Sequence, residues 1–356
     1  MRLAPLLRLA AVLGAVVIAL TVTAAAGAVS GGYVVKPLVS DTGIGGTTKD
    51  PNLVNAWGLT AGPTTPWWVA DNGTGLSTLY TAAGAIVPLV VDVGDAPTGT
   101  VFNSTPGFTL SNGSPARFLF SSEAGVIHGW NGGMTAETFA DLSRQGAVFK
   151  GLAIADTNAG PRLYATDFHN RRIDVFDASG HVLRQSFFFF HDAFIPSEYG
   201  PFGIQTIGSL LYVTYALTQP GSDDEAHGAG LGFVDAYDPL TGALVSRIAT
   251  RGALDAPWGI ALAPPTFGAA AGDLLIGNFG DGHINAYRPT GSIFGATPEG
   301  SLNAPTGAPI FIDGLWALQF GMGSANNGPM DSLFFTAGPN DESNGLYGSI
   351  RAAPTP

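Results

Sequence analysis

Short runs of apolar residues alternate with turn residues along the chain, and these runs recur in pairs. The clearest pair lies in LYATDFHNRRIDVFDASGHV, from Leu163 to Val182, where an apolar strand, a polar turn and a strand ending in Phe176 follow one another. The turn carries Asp167 and Asn170. Alternation with a period of two, bounded by Gly, Asn and Asp, is typical of strands joined by tight turns. The pattern predicts a β-hairpin.

The same hairpin recurs along the whole chain. The second strand of the hairpin ends in an aromatic residue in five copies, at Tyr80, Trp130, Phe176, Tyr237 and Tyr287. A weaker sixth copy ends at Ile350. A glycine beside an aromatic or apolar residue precedes each pair, at Gly58, Gly99, Gly151, Gly203, Gly259 and Gly314. A unit of roughly 50 residues with three or four strands is typical of a propeller blade. We therefore predict an all-β fold, a six-bladed β-propeller.

The two ends of the predicted propeller are expected to meet. The last recognisable strand, GLYGSI, is followed only by RAAPTP, so the sixth blade lacks an outer strand. The segment YVVKPLV, from Tyr33 to Val39, belongs to no blade of its own. We predict that it supplies the missing strand, because closure removes a free sheet edge. The propeller would span residues 29–351, with a short tail at 352–356.

The first 28 residues differ from the rest. Arg2 and Arg8 precede an apolar run from Leu9 to Val22, and small residues follow. This order is typical of a secretory signal peptide, cleaved here near Ala26 or Ala28. An uncleaved membrane anchor is the alternative, although the run is shorter than the ~20 residues that a spanning helix needs. We expect a secreted or periplasmic protein.

Composition and charge narrow the classes of partner. Of 356 residues, 46% are hydrophobic and 22 are Phe, which is enough for a core, and the absence of Cys excludes disulfides. The chain has 15 Lys+Arg and 27 Asp+Glu; without Arg2 and Arg8 the balance is 13 against 27, or −14. Such charge argues against nucleic acid and against an anionic membrane surface. The negative net charge is compatible with cationic or neutral ligands. We also expect the protein to be a monomer.

The third repeat carries a family resemblance. YATDFHNRRIDVFDASG resembles an NHL repeat, in which an Asp, an Asn-x-Arg and a strand with an aromatic end recur; the other repeats keep the spacing but not the Asn-x-Arg. From LVSDTGIGGTTKDPNLVNAWGL to LFFTAGPNDESNGLYGSI, the chain is similar to a family of exported bacterial propeller proteins without an assigned activity. The resemblance implies the fold and export, and it implies no catalytic residues.

One set of candidate residues lies before the six glycines. The first strand of each propeller blade lines the central channel, so these residues are expected to form a ring at its mouth: Trp57, Thr98, Lys150, Phe202, Trp258 and Asp313. Aromatic faces with a few polar groups suit a small molecule, a glycan or a protein ligand. The alternative is that the aromatic residues only pack between blades and that Lys150 pairs with Asp313.

A second set follows the second strand of each repeat. It comprises Asp71, Glu123, Asp167, Asn278 and Asn340, with Asp223, Asp224 and Glu225 in a longer loop of the fourth repeat. Carboxylate and amide oxygens suit calcium, so these residues are weak candidates for a metal site. The same side chains also cap turns. Asp167 with Arg171 or Arg172 is expected to clamp its own turn.

Two functional hypotheses remain open. The first is a non-catalytic binding or scaffold module with its ligand at the channel mouth. The second is an enzyme, a metal-assisted hydrolase of lactonase type or a lyase, with a divalent ion at that mouth. The sequence contains no GxSxG elbow and no phosphate-binding glycine loop between a strand and a helix. The sequence alone does not decide whether the protein is an enzyme.

Overall fold

The computed structural model describes residues 31–183, 189–293 and 295–354, and in them every extended sheet is a propeller blade. The predicted signal peptide at residues 1–28 lies outside the described residues. The innermost strand of each blade contacts that of the next, and the sixth contacts the first, so the blades form a closed ring. The prediction of a six-bladed, all-β propeller is confirmed.

The strands follow the chain in blade order after an initial segment that belongs to the last blade. That segment contains β1 (Tyr33–Ser40) and β2 (Thr48–Lys49). The first blade comprises β3 (Ala56–Thr60), β4 (Trp67–Asp71), β5 (Leu76–Tyr80) and β6 (Ile86–Asp92). The second comprises β7 (Pro97–Phe102), β8 (Phe118–Ser122), β9 (Val126–Trp130) and β10 (Glu137–Asp141). The third comprises β11 (Phe149–Thr157), β12 (Gly160–Asp167) and β13 (Arg172–Phe176).

The second half of the ring continues in the same order. The fourth blade comprises β14 (Tyr199–Ile207), β15 (Leu210–Leu217), β16 (Gly232–Tyr237) and β17 (Leu244–Thr250). The fifth comprises β18 (Pro257–Leu262), β19 (Leu274–Asn278), β20 (Ile284–Pro289) and β21 (Ala296–Ser301). The sixth comprises β22 (Leu315–Phe320), β23 (Leu333–Ala337) and β24 (Leu346–Ala352), completed by β1 and β2. Short 3₁₀ turns lie at Ile44–Gly46, Ser143–Gln145 and Gly268–Ala270. Across the described ranges, no helix has the length and apolar character needed to cross a membrane.

The first and last parts of the chain close the ring as predicted. Strand β1 pairs antiparallel with β24, from Tyr33 opposite Ala352 to Ser40 opposite Leu346, with one irregularity after Pro37. The buried ring of Tyr33 packs against Phe267 at a centroid distance of 4.9 Å. The closure strand is therefore held by backbone pairing along its length and by a buried aromatic contact at its first residue.

Close approach between neighbouring innermost strands explains five of the six glycine signals. A Cβ atom built on Gly58 would lie 2.2 Å from the Thr98 carbonyl oxygen, and one on Gly203 would lie 2.1 Å from the Trp258 carbonyl oxygen. Gly99, Gly151 and Gly259 make the same kind of backbone contact with the following blade. Since these neighbours are backbone atoms and cannot move aside, a side chain at these positions would push the blades apart.

The closure contacts generate a test. The Tyr33 hydroxyl donates to the Phe267 carbonyl (3.2 Å) and accepts the Ala270 N–H (2.8 Å). Tyr33→Phe keeps the ring but leaves two buried backbone groups unpaired, so we expect a loss of about 1–3 kcal/mol in unfolding free energy by urea titration. Tyr212→Phe is the matched control, because the half-buried Tyr212 hydroxyl makes no hydrogen bond among the described residues. Equal effects of the two changes would contradict this account of closure.

Candidate functional site

The residues before the inner-strand glycines surround one end of the channel, but the sixth repeat is three residues out of the predicted register. Ala317, not Gly314, takes the glycine position: its N–H donates to Thr336 Oγ1 (3.2 Å), as the Gly203 N–H does to Thr214 Oγ1 (2.8 Å). Trp316 therefore completes the ring. The alignment on Gly314 was wrong because the sixth blade has Ala in place of Gly.

Asp313 occupies a different place from that predicted. It is exposed in the loop before β22, and its Oδ2 accepts the Asn340 N–H at 2.9 Å. It makes no salt bridge among the described residues, so the predicted pairing of Lys150 with Asp313 is not formed. Aligning the tripeptides Trp57-Gly-Leu, Trp258-Gly-Ile and Trp316-Ala-Leu would have identified Trp316.

Aromatic side chains fill this end of the channel. The Trp316 ring stacks on Trp57 (3.7 Å between centroids, 14° between planes) and on Phe279 (3.9 Å, 17°). It also makes edge contacts with Trp258 at 6.0 Å and Phe202 at 5.8 Å. None of the five is more than 9% exposed. These rings, which we call the aromatic plug, form packed core, as the alternative interpretation of the sequence proposed.

One residue at the end of each second strand, or directly after it, forms the next layer above the plug. Strand register makes six positions equivalent, namely Asn72, Glu123, Phe168, Ala216, Phe279 and Gly338. In the first two blades this layer is polar, whereas in the third to fifth blades it is apolar and packs with the plug. The mouth of the channel is thus divided into a polar side and an aromatic side.

A chain of hydrogen bonds connects the plug to the polar side. Trp316 Nε1 donates to Asn55 Oδ1 (2.9 Å), and Asn55 Nδ2 donates to Asn72 Oδ1 (3.2 Å). Asn72 Nδ2 then donates to Glu123 Oε2 (3.0 Å), whose Oε1 accepts from Lys150 Nζ (2.5 Å). Asn55 and Asn72 were not predicted from the sequence, because Asn55 lies in the turn before β3 and because the sequence pattern aligns Asp71 rather than Asn72 with Glu123. The chain fixes the orientation of Glu123 and Lys150.

Lys150 is the single buried cation of the mouth among the described residues. It is 2% exposed, and its Nζ lies 5.3 Å from the centre of the Trp57 ring and 3.9 Å from Asp224 Oδ1. Burial alone would lower the pKa of Lys150, but the charges of Glu123 and Glu225 outweigh burial and raise it. Lys150 therefore remains charged, paired with Glu123 and in contact with an aromatic face.

Carboxylates outnumber cations at this mouth. Four carboxylates interact electrostatically with Lys150 or with one another, namely Glu123, Asp224, Glu225 and Glu342. Of these, Glu225 is buried. Glu225 Oε1 lies 3.7 Å from His227 Nε2 and raises the pKa of that histidine. Burial, followed by the charge of Glu225, raises the pKa of Glu342 to about 7. The mouth is thus a negatively charged surface around one internal ammonium group.

The weak metal candidates do not converge. Asp71, Asp167 and Asn278 are buried in three different blades, each as the last residue of a second strand, whereas Glu123 is one residue further along and reaches the mouth. Within the described ranges no group of three or more His, Asp or Glu side chains is placed to hold a metal ion. The calcium hypothesis remains a prediction, without a cluster at the mouth to support it.

Two of these candidates make the turn contacts that the sequence offered as the alternative. Asp167 Oδ1 accepts the N–H groups of Val148 (3.2 Å) and Asn170 (3.1 Å), and Oδ2 lies 3.4 Å from Arg172 Nη2. Asn278 Nδ2 donates to the Ala253 carbonyl (2.8 Å) and to Asp281 Oδ1 (2.9 Å). Asp167 and Asn278 therefore act as local clamps between turns.

The opposite end of the channel has a different character. A cavity of about 290 Å³ opens there, lined by apolar residues such as Leu59 and Ile154 and by the amides Gln205 and Gln319. No ionisable side chain lines this cavity within the described chain. The aromatic plug separates it from the charged mouth, so the two ends of the channel suit different ligands.

Comparison with known proteins places the chain in a family. No protein-family model matches it. An uncharacterised protein of Acanthamoeba polyphaga mimivirus is 35% identical over 318 residues, which cover 85% of this chain and 76% of that protein. A second from the same virus is 32% identical over 333 residues, covering 88% and 84%. The chain belongs to the family of these two proteins. These relatives are viral, whereas the sequence resemblance pointed to bacterial proteins.

Solved structures agree with the fold. A chain of hydrazine synthase from Kuenenia stuttgartiensis superposes with a TM-score of 0.50 at 14% identity, covering 87% of this chain and 99% of that one. The calcium-binding protein regucalcin from Agrobacterium tumefaciens superposes with a TM-score of 0.50 at 11% identity, covering 86% and 94%. Such low identity supports the propeller fold alone.

The raised pKa of Glu342 predicts a pH dependence. Because its folded-state pKa of about 7 lies above an unfolded value of roughly 4.3, the folded protein holds the proton longer. The contribution of Glu342 therefore favours folding fully below pH ~4.3 and is lost as pH rises through 7. Glu342→Gln should stabilise the protein at pH ~8 by about 1–2 kcal/mol and change little at pH ~5.

Urea titrations at the two pH values measure this difference. Glu198→Gln is the control, since it makes the same change of charge at an exposed side chain and should shift stability by less than about 0.5 kcal/mol. A Glu342→Gln effect that is equal at both pH values would show that burial of the carboxylate does not favour its protonated form.

Proposed function

We propose that this member of the mimivirus-related propeller family is a binding module that takes a cationic group of its ligand at the charged channel mouth. One observation carries the proposal: four carboxylates converge there on a single buried Lys150. Since Lys150 already pairs with Glu123, the remaining carboxylates are left to attract a further cation. Fixed carboxylates above a rigid plug are suited to ammonium or guanidinium groups of a protein or small-molecule ligand.

The rigidity of the mouth supports binding rather than closure around a substrate. Asn55, Asn72, Glu123 and Lys150 are held in one hydrogen-bonded chain, and the plug beneath them is close-packed. A preorganised surface loses little conformational entropy when a ligand binds. The longer loop that carries Asp224 and Glu225 contributes to the same mouth, as its contact with Lys150 shows. The metal-assisted enzyme remains the alternative, and no contact described above favours it.

Binding of a cationic probe tests the proposal. Pentalysine should bind to the purified protein at about 50 mM salt, and the affinity should fall as salt is raised, because the attraction is electrostatic. The triple variant Glu123→Gln, Asp224→Asn, Glu342→Gln should bind the probe about tenfold more weakly in isothermal titration calorimetry. The control triple Asp156→Asn, Glu299→Gln, Asp331→Asn removes the same charge away from the mouth.

The two triple variants distinguish a specific site from a general effect of charge. A loss of affinity confined to the mouth variant supports the proposed site. If both variants lose affinity equally, pentalysine responds only to net charge, and the mouth is not a specific cation site. Binding by the wild type that is unaffected by either variant would locate the ligand elsewhere, for instance at the uncharged cavity of the opposite channel end.

Export is part of the same proposal. The support is the order of Arg2, Arg8 and the apolar run from Leu9 to Val22, followed by small residues. When the full chain is expressed in bacteria, we expect N-terminal sequencing of the secreted or periplasmic protein to begin within a few residues of Ala28. Recovery of the chain with Met1 intact in the membrane fraction would instead identify an uncleaved anchor.

A further inference from the structure

A second buried polar feature lies between blades, away from the channel mouth. Strand register places one residue near the end of each second strand on the same face as a residue of the third strand. Both positions are polar in five blades, giving the pairs Asp71 with Thr78, Ser122 with His128, Asp167 with Asp174, Tyr215 with Asp235, and Asn278 with Asn285. All ten side chains are buried. A buried polar pair therefore recurs around the ring and has to be satisfied in each blade.

The third and fourth blades neutralise their carboxylates with arginine. In the third blade, Arg172 Nε donates to Asp174 Oδ1 (2.9 Å), and Arg172 Nη2 lies 3.4 Å from Asp167 Oδ2. In the fourth, two nitrogens of Arg247 donate to Asp192. Burial raises the pKa of nearby Asp235 to about 7, and the charge of Arg247 opposes that rise. Each blade thus places one cation beside two carboxylates. The fifth blade uses the neutral pair Asn278 and Asn285.

The corresponding place beside the first blade has two carboxylates, Asp71 of the blade itself and Asp50 of the closure segment, and no such cation. Asp50 and Asp71 are 4% and 0% exposed, and neither takes part in a salt bridge with any described residue. Asp50 accepts the Asn52 N–H (3.0 Å) and the Tyr80 hydroxyl (2.9 Å). Neither carboxylate oxygen of Asp71 forms a hydrogen bond within the described chain, and neither does the Thr78 hydroxyl.

These groups lie around one face of the first blade. Thr78 and Tyr80 alternate onto the face of the sheet that carries Asp71, and Tyr80 bonds Asp50. Burial raises the pKa of Asp71 well above its usual value and the charge of Asp50 adds to the rise, while Thr78 lies close enough to lower it without meeting hydrogen-bond geometry. Two buried carboxylates close together are strongly unfavourable without a neutralising partner.

We propose that Asp71 and Thr78, with the adjacent charge of Asp50, form a buried calcium site between the first blade and the closure segment. The available donors are oxygens only, which suits a hard cation, and two carboxylates balance the charge of Ca²⁺. Asp50 follows β2 and its N–H donates to the Ser40 carbonyl (2.9 Å) at the end of β1. The ion therefore links the closure segment to the first blade. In the third blade, Arg172 neutralises the carboxylates Asp167 and Asp174.

Metal content and thermal stability test the site directly. Protein purified without chelator should contain about one Ca²⁺ per chain by elemental analysis. After chelation, a hundredfold excess of Ca²⁺ over its Kd should raise Tm by about 5 °C. Mg²⁺, Na⁺ or K⁺ at the same concentration as Ca²⁺ should not reproduce the shift in Tm. Mg²⁺ demands octahedral geometry and retains its waters. A matching shift with any of these ions overturns the assignment to calcium.

Matched variants locate the ion. Asp71→Asn should abolish the Ca²⁺-dependent shift, whereas Asp167→Asn, the equivalent change in the third blade, should retain it. Thr78→Val keeps the shape of the side chain and should weaken Ca²⁺ binding about tenfold, which keeps the site testable if Asp71→Asn fails to fold. The triple variant of the channel mouth should also keep the full shift, so this outcome is independent of the proposed ligand site.

Three results would overturn the site. The first is a wild-type protein without bound Ca²⁺ and with a shift below about 1 °C. The second is an Asp71→Asn or Thr78→Val protein that responds to Ca²⁺ like the wild type. The third is a shift lost only in the mouth variant, which would place the ion with Glu123 and Asp224 instead. A metal-free wild type whose stability falls as pH rises, with the fall absent in Asp71→Asn, would identify a proton as the neutralising partner.

Discussion

The close approach of the innermost strands around one axis is the constraint on which the rest of this structure depends. At Gly58 and Gly203 the neighbouring backbone lies where a Cβ atom would be, so the blades pack only if that position stays small. This fixes the preceding residue at the edge of the channel in every blade. Large side chains at several of these positions must then share a narrow space, and the packed solution is stacking of Trp316 on Trp57 and on Phe279 of the next layer.

Closure is the second consequence of the ring. The sixth blade is built from both ends of the described chain, because β24 pairs with β1. Segments far apart in sequence are thereby brought together, including Asp50 beside Tyr80 and Thr336 beside Trp57, whose carbonyl accepts the threonine hydroxyl. Loss of the closure strand would expose a free sheet edge and a buried aromatic residue, Tyr33, together. Closure thus couples the ends of the chain to the core of the first blade.

The sequence predicted the fold better than it predicted the site, for a physical reason. Strand alternation, turn glycines and spacing are local signals, so they were sufficient for six blades and for the closure by Tyr33–Val39. The partners of Lys150 come from other blades, and a one-residue difference in turn position separates Glu123 from the buried Asp71 and Asp167. Because Ala317 stands where the other blades have glycine, the sequence pattern assigned Asp313 to the ring and did not identify Trp316. Such contacts depend on three-dimensional register, which the local pattern does not contain.

Two consecutive residues show how one turn serves two sites. Asp71 is the last residue of β4 and faces the interior between blades, whereas Asn72, the next residue, extends the hydrogen-bonded chain to Glu123 at the channel mouth. In the second blade the same two positions are Ser122 and Glu123, so the charge lies at the mouth instead of between blades. Moving a carboxylate by one residue therefore changes its surroundings from buried core to the rim of the channel. This alternation explains how a chain with 12% charged residues can place acidic groups both at an exposed mouth and within its core.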